Sequence, residues 1–275
     1  MSDELTNLDS QSLVTADAWR FLGEFTSARI AMGRAGGSLP TREVLRFALD
    51  HAAARDAVEA EFHADAIAEQ IRLLGLETIV VDSEAGDLAT YLKRPDLGRR
   101  LSLASRQILQ EAMPADGCDV AIIVGDGLSA LAVERHACQV LRHLLVALAN
   151  AKQSVGPIAV VRHARVAIED EVGELLRVRL AVILIGERPG LGTPDSLGAY
   201  LVYDPKIGRT DAERNCVSNI HAKGLAPKAA AETLRYLIRE SLQRKISGVE
   251  LKDERMGLTD SVGKLRIEQE ELARP

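Results

Sequence analysis

The run Leu180-Ala181-Val182-Ile183-Leu184-Ile185 is apolar without a break, and it leads directly into Gly186-Glu187-Arg188-Pro189-Gly190-Leu191-Gly192. A stretch so short and so evenly apolar suits a parallel strand covered on both faces, so the chain must also supply helices for both sides. The loop that follows holds a carboxylate, a guanidinium, three glycines and a proline. Ligands in open α/β sheets gather outside the carboxyl ends of strands, which makes this loop the first place to look for a bound molecule.

The surrounding pattern agrees with such a sheet. Apolar runs at Glu77–Val81, Asp119–Val124 and Ile158–Val161 read as three earlier strands, and Ala199–Tyr203 as a fifth, with a return strand of mixed direction left open. Between them the spacing predicts helices over Leu97–Met113, stopped by Pro114, and over Leu128–Asn150, with the polar stretch Val166–Arg177 as a third candidate. Pro227–Lys245 is a helix with proline in its first turn. Strands alternating with helices of this length imply a doubly wound α/β sheet.

Ahead of the sheet, Asp17–Ile30 reads as a short helix, and Glu43–Leu74 as one long amphipathic helix closed by Gly75, giving an N-terminal helical extension. The expected organisation is an arm and helical interface region over residues 1–75, the sheet domain over 76–248 and a charged tail over 249–275. The loop Gly33–Thr41 and the long helix have no evident role inside the sheet, so both are candidates for contact with another protein.

Composition narrows the function classes. The formal charge of -6 and the scarcity of aromatics disfavour nucleic-acid binding. No apolar run is long enough to span a membrane, the acidic start does not resemble a secretory signal, and three cysteines without paired spacing suit a reducing compartment. The expectation is a cytoplasmic protein. The histidines lack metal-site spacing, and neither a nucleophile elbow nor a phosphate loop is present.

Two further motifs compete with the Gly186 loop. Gly125-Asp126-Gly127-Leu128-Ser129-Ala130 has the form of a dinucleotide fingerprint between a strand and a helix. The next strand ends in Arg162-His163 instead of the acidic residue that a ribose requires. The motif is therefore either a tight turn needing small residues or the core of an NAD(P)-dependent oxidoreductase in which Arg162 faces a 2′-phosphate. Asn219-Ile220-His221-Ala222-Lys223-Gly224 approximates a cobalt-ligating histidine motif, but Asn219 stands where an aspartate would raise the basicity of the imidazole. A hydrogen-bonded loop histidine is the simpler expectation for His221.

The Gly186 loop and the stretch Arg214–His221 gather many polar groups with little excess charge. That suits a large ligand rich in amides. Together with Ser27–Thr41, the segments Gly186–Gly192 and Cys216–His221 resemble the small (light) subunit of ethanolamine ammonia-lyase, and the similarity runs from about Ala18 to Gly248 in order. The resemblance implies a Rossmann-like fold that closes over adenosylcobalamin at the interface with a catalytic large subunit. It also implies that the cofactor keeps its own dimethylbenzimidazole on cobalt and that the complex turns ethanolamine into acetaldehyde and ammonia by a radical route.

Carried over by position, the resemblance places cofactor contacts at Val166, Glu187 and Cys216 and no catalytic residue on this chain. Arg188, Gly190 and Asn219 are secondary candidates. The polar N-terminal arm is a candidate address for a protein-shelled bacterial microcompartment.

Overall fold

The computed structural model describes residues 13–26, 28–113 and 117–255. Most of the polar arm, Pro114 and the tail beyond residue 255 therefore lie outside the described residues. The chain forms two compact units, one comprising residues up to Asp56 with Gly190–Pro194, the other Ala57–Pro189 with Asp195 onward.

In the smaller unit the expected helix over Asp17–Ile30 shrinks to a single 3-10 turn at Arg20–Glu24. Its aromatic residues are left in water, with Trp19 63% and Phe25 81% exposed, so no packing supports a longer helix. The expected long helix is also divided, into α1 (Thr41–Glu59) and α2 (Ala64–Arg72). Neither glycine nor proline marks the break. α2 buries Ala64, Ile67, Ala68 and Ile71, whereas α1 buries only Ala57, so packing separates the two where local propensity does not.

The larger unit is built on one mixed sheet of order β1-β3-β2-β4-β5-β6. β1 (Thr78–Asp82), β2 (Val120–Gly125), β3 (Ile158–Arg162) and β4 (Leu180–Gly186) are parallel neighbours. β5 (Leu197–Tyr203) runs antiparallel to β4, and β6 (Arg214–Ile220) antiparallel to β5. β6 is a strand where the sequence pattern showed none.

Alternate residues of the central strands feed two cores. Ile122, Val124, Val182 and Leu184 face α2, α5 (Ala130–Asn150) and α7 (Pro227–Arg244). Ala121, Ile123, Ile183 and Ile185 face the other way, towards α4 (Leu103–Glu111) and α6 (Ile168–Leu175). The helix expected over Leu97–Met113 is a 3-10 turn at Leu97–Arg99 followed by α4, and ahead of it stands a short α3 (Leu88–Lys93), capped by Asp87, that the sequence pattern did not show. Truncating one fully buried leucine of α5, such as Leu144, to alanine costs about 2–5 kcal/mol. Among the described residues no helix is long and apolar enough to cross a membrane.

The first residues of the charged tail are fastened to the sheet. Leu251 is buried, and its carbonyl accepts from Asn215 Nδ2 at 2.7 Å.

Candidate cofactor site at the antiparallel edge

Where β4 ends, Gly186 lets the chain pass against the turn after β2. A Cβ on Gly186 would lie 2.4 Å from the Asp126 carbonyl, and one on Gly127 would lie 2.1 Å from the Gly186 carbonyl. Leu128 N–H donates to that Gly186 carbonyl at 3.0 Å. The carboxylate of Asp126 accepts from the backbone of His163 and Ala164, both at 2.8 Å. The small residues of Gly125–Ala130 thus serve a backbone interlock.

Arg162, which a nicotinamide reading would place on a phosphate, is instead paired with Asp65 at 2.7 Å and Asp82 at 3.2 Å. With the Leu128 N–H and the Arg162 cation both committed within the fold, the dinucleotide alternative has little left to hold a phosphate.

One residue beyond the interlock, Glu187 turns over β5. Its carboxylate accepts from Ser196 Oγ at 2.5 Å, from the Ser218 hydroxyl and from the backbone N–H of Asn219 at 3.3 Å. Gly198 makes room for it, since a Cβ there would sit 2.9 Å from Glu187 Oε1. A carboxylate has about four acceptor sites, so a capacity for further donors remains. Both serine hydroxyls also keep lone pairs that can accept.

Beside it, Tyr200 on β5 and Cys216 on β6 are register partners, directly opposite each other across the two strands. Burial pushes the Tyr200 phenol well above its ordinary value. Cys216 is open to water on one side, while packing on the other pushes its thiol up, so it is a poor nucleophile.

Val166, in the turn between β3 and α6, closes the other side. Val166, Tyr200 and Cys216 line one pocket of about 270 Å³ together with Arg99, Arg165 and Arg214. The structure therefore brings Val166 and Cys216 together, and Glu187 is near enough to act electrostatically on both Tyr200 and Cys216. A larger hollow of about 530 Å³ lies between α5 and α7 and contains none of these residues.

The floor of the site is a buried ion-pair cluster. Arg214 Nη1 donates to Asp170 at 2.7 Å and to Glu169 at 3.0 Å, and Nη2 donates to Asp170 at 2.7 Å. All three residues are buried. Burial pushes Glu169 up to about 8, against the pull of the guanidinium. The stretch Val166–Arg177, polar in sequence, is thus an interior helix whose carboxylates have partners across the fold. Glu171, likewise buried, accepts from Leu101 N–H at 2.8 Å.

The secondary candidates divide. Arg188 and Gly190 are exposed, while Asn219 binds both Glu187 and His221. His221 spends both ring nitrogens locally, Nε2 on Asn219 Oδ1 at 2.7 Å and Nδ1 on Lys223 N–H at 3.2 Å. That is the hydrogen-bonded loop histidine expected from Asn219.

Sequence reasoning missed Tyr200, Ser196, Ser218 and Arg165 as parts of this site. Only the cross-strand pairing with Cys216 singles out Tyr200, and no pairing was visible while β6 went unread.

A family model for the ethanolamine ammonia-lyase light chain matches residues 16–252. The chain belongs to this family. It is 51% identical over 249 residues to the ethanolamine ammonia-lyase small subunit of Azotobacter vinelandii, covering 90% of this chain and 92% of that one. It is 50% identical to the small subunit of Xanthomonas campestris pv. campestris, covering 86% and 88%. For that of Pseudomonas syringae pv. tomato the identity is 49%, covering 92% and 89%. Membership of the ethanolamine ammonia-lyase light-chain family gives the pocket on β5 and β6 a chemical context.

Proposed function

We propose that this chain is the small subunit of an adenosylcobalamin-dependent ethanolamine ammonia-lyase, its Rossmann-like sheet closing over one edge of the cofactor against a large subunit. The observation that carries this reading is the shared pocket of Val166, Tyr200 and Cys216 with Glu187 beside it, in a chain half identical to proteins named small subunit.

The residues fit such a group. Arg165 Nε and Arg214 Nε are buried donors without hydrogen-bond acceptors among the described residues, and Glu187 with its two serines offers acceptors. A corrinoid edge presents amide carbonyls and amide N–H groups that answer both. The pocket, at about 270 Å³, takes only the periphery of so large a molecule, so another protein must cover the rest.

When bound, the cofactor supplies the radical chemistry that converts ethanolamine to acetaldehyde and ammonia. The residues of this chain bind and orient. Glu187 accepts amide N–H groups, Val166 packs against the ring periphery, and the protonated Cys216 and Tyr200 keep the wall neutral and exclude water.

The smaller unit is the candidate surface for the large subunit. Leu45, Leu49 and Val44 on α1 stand 64%, 68% and 49% exposed, more apolar surface on one helix than water favours. The polar arm over residues 1–15 is a candidate microcompartment address; deleting it and following particle association tests that.

The deciding experiment is co-expression with the adjacent large-subunit candidate, assaying acetaldehyde release from ethanolamine with and without adenosylcobalamin. Activity that requires both chains and the cofactor supports the reading. A purified complex that neither retains a corrinoid nor releases acetaldehyde rejects it.

A further inference from the structure

The pocket walls carry more cationic character than a neutral amide edge requires. Arg165 is held with its guanidinium carbon 4.3 Å from the centre of the Tyr91 ring, and its Nε is buried without an acceptor. A stacked guanidinium has already given up its freedom, so a ligand that meets it loses less entropy.

Arg214, its side chain only 2% exposed, spends Nη1 and Nη2 on Asp170, Glu169 and the Arg209 carbonyl. Its Nε is also buried without a hydrogen-bond acceptor, 3.7 Å from the carboxylate of Asp211, whose side chain is 95% exposed. Arg99 stands exposed at the mouth. Three guanidiniums thus face Asp170 and Asp211, while Glu169 is held towards its neutral form by burial. The pocket keeps a positive balance after its internal pairs are made.

Guanidinium N–H groups arranged around one small space match an oxyanion better than they match scattered carbonyls, because each N–H···O⁻ bond is charge-assisted. We propose that Arg99, Arg165 and Arg214 form an oxyanion subsite that takes the phosphodiester of the cofactor's nucleotide tail, leaving Glu187 to serve the amides of the corrin ring. This assignment rests on the cobalamin reading above and adds a polarity to it. The Arg-lined pocket holds the anionic tail, and the carboxylate across β5 holds amide donors.

The test compares two corrinoids on the assembled two-subunit complex freed of cofactor, with binding followed by absorbance and equilibrium dialysis. Cyanocobalamin carries the phosphodiester; dicyanocobinamide has the corrin and its amides but neither phosphodiester nor terminal base. Arg165→Gln is expected to weaken cyanocobalamin by about tenfold or more, as loss of a charge-assisted hydrogen bond does, and to change cobinamide by less than about twofold. Arg99→Gln follows the same pattern with a smaller loss. Arg214 is left intact because its removal strands buried carboxylates.

Equal losses for both corrinoids, or no loss for either, overturn the subsite. Inorganic phosphate supplies a second readout. Competition with cyanocobalamin but not with cobinamide supports the assignment, and phosphate binding that leaves cyanocobalamin unaffected overturns it in favour of a free-anion site. Glu187→Gln separates the two levels. If it weakens both corrinoids while the arginine variants discriminate neither, only the subsite fails. If the wild-type complex binds neither corrinoid, the cobalamin reading fails with it.

Discussion

Two carboxylates follow two adjacent parallel strands, and they have opposite fates. Asp126, after β2, is 6% exposed and accepts from two backbone amides at the end of β3. Glu187, after β4, is half-buried and accepts from two serine hydroxyls and one amide. Backbone amides cannot turn away, so Asp126 is a fixed structural tie. Hydroxyls rotate about a single bond, so the ties to Glu187 can be exchanged for ligand donors at small cost. Position at a strand end therefore does not distinguish a site from a brace; the mobility of the partners does.

The contrast is broken most forcefully at Asp126. Replacing it with alanine leaves the N–H groups of His163 and Ala164 without their carboxylate. A loss of about 3 kcal/mol or more is expected in chemical denaturation of the complex, with corrinoid affinity of the folded fraction unchanged. If affinity fell in step with stability, Asp126 would belong to the site and the distinction would be wrong.

Glu187→Gln should do the reverse. A drop of about tenfold in cobalamin affinity is expected, with unfolding stability within about 0.5 kcal/mol of the parent, because the partners stay hydrated at the edge strand. Calorimetric titration beside denaturation reads both quantities on one sample.

Ser196→Ala sharpens the picture at smaller amplitude. One rotatable donor is lost while Ser218 and Asn219 still hold the carboxylate. A weakening of about two- to fivefold follows, and Ser196→Thr should restore it.

The mildest effect belongs to His163, whose Nδ1 lies 3.5 Å from the Asp126 carboxylate, and that neighbour raises its pKa against the opposing effect of burial. A histidine with a raised folded pKa contributes stability that is full below about pH 6.5 and fades as pH rises through the folded value. Stability should therefore decline gently from pH 6 to 8, by less than about 1 kcal/mol. His163→Asn, which tolerates the observed φ of +56°, should flatten that slope in a pH series of melting curves.

How much of this was legible depended on what each residue answers to. β2, β3 and β4 could be read directly, because strands buried on both faces are continuously apolar. β6 could not. Only Arg214, Val217 and Ile220 are buried along it, a spacing of three that breaks strand alternation, and its pairing with β5 shifts register between Leu197 and Ala199. α6 was obscured by Glu169, Asp170 and Glu171, whose ion-pair partners lie far away in sequence.

At the site, the Gly186 loop was recognisable as a strand end with polar character. That Val166 shares a pocket with Cys216 follows only from how the turn into α6 packs across the sheet, since β3 and β6 stand four places apart in it, and the resemblance chose those residues before any pattern could. Arg165 gave no sequence signal, since its meaning comes from the Tyr91 ring beneath it.

The antiparallel addition to the sheet also has a consequence for assembly in time. β4, β5 and β6 follow one another as a meander, so each finds its neighbour across a nearby loop, whereas Thr78 of β1 must wait for Ile158 of β3. Short loops close at lower entropic cost and sooner. The strands bearing Tyr200 and Cys216 are thus late in synthesis but quick to dock once β4 is in place. Val166 and Arg165 have by then already left the ribosome. The binding wall is consequently completed late, on parallel strands already made, with α7 still to follow and cover the core on the far face of the sheet.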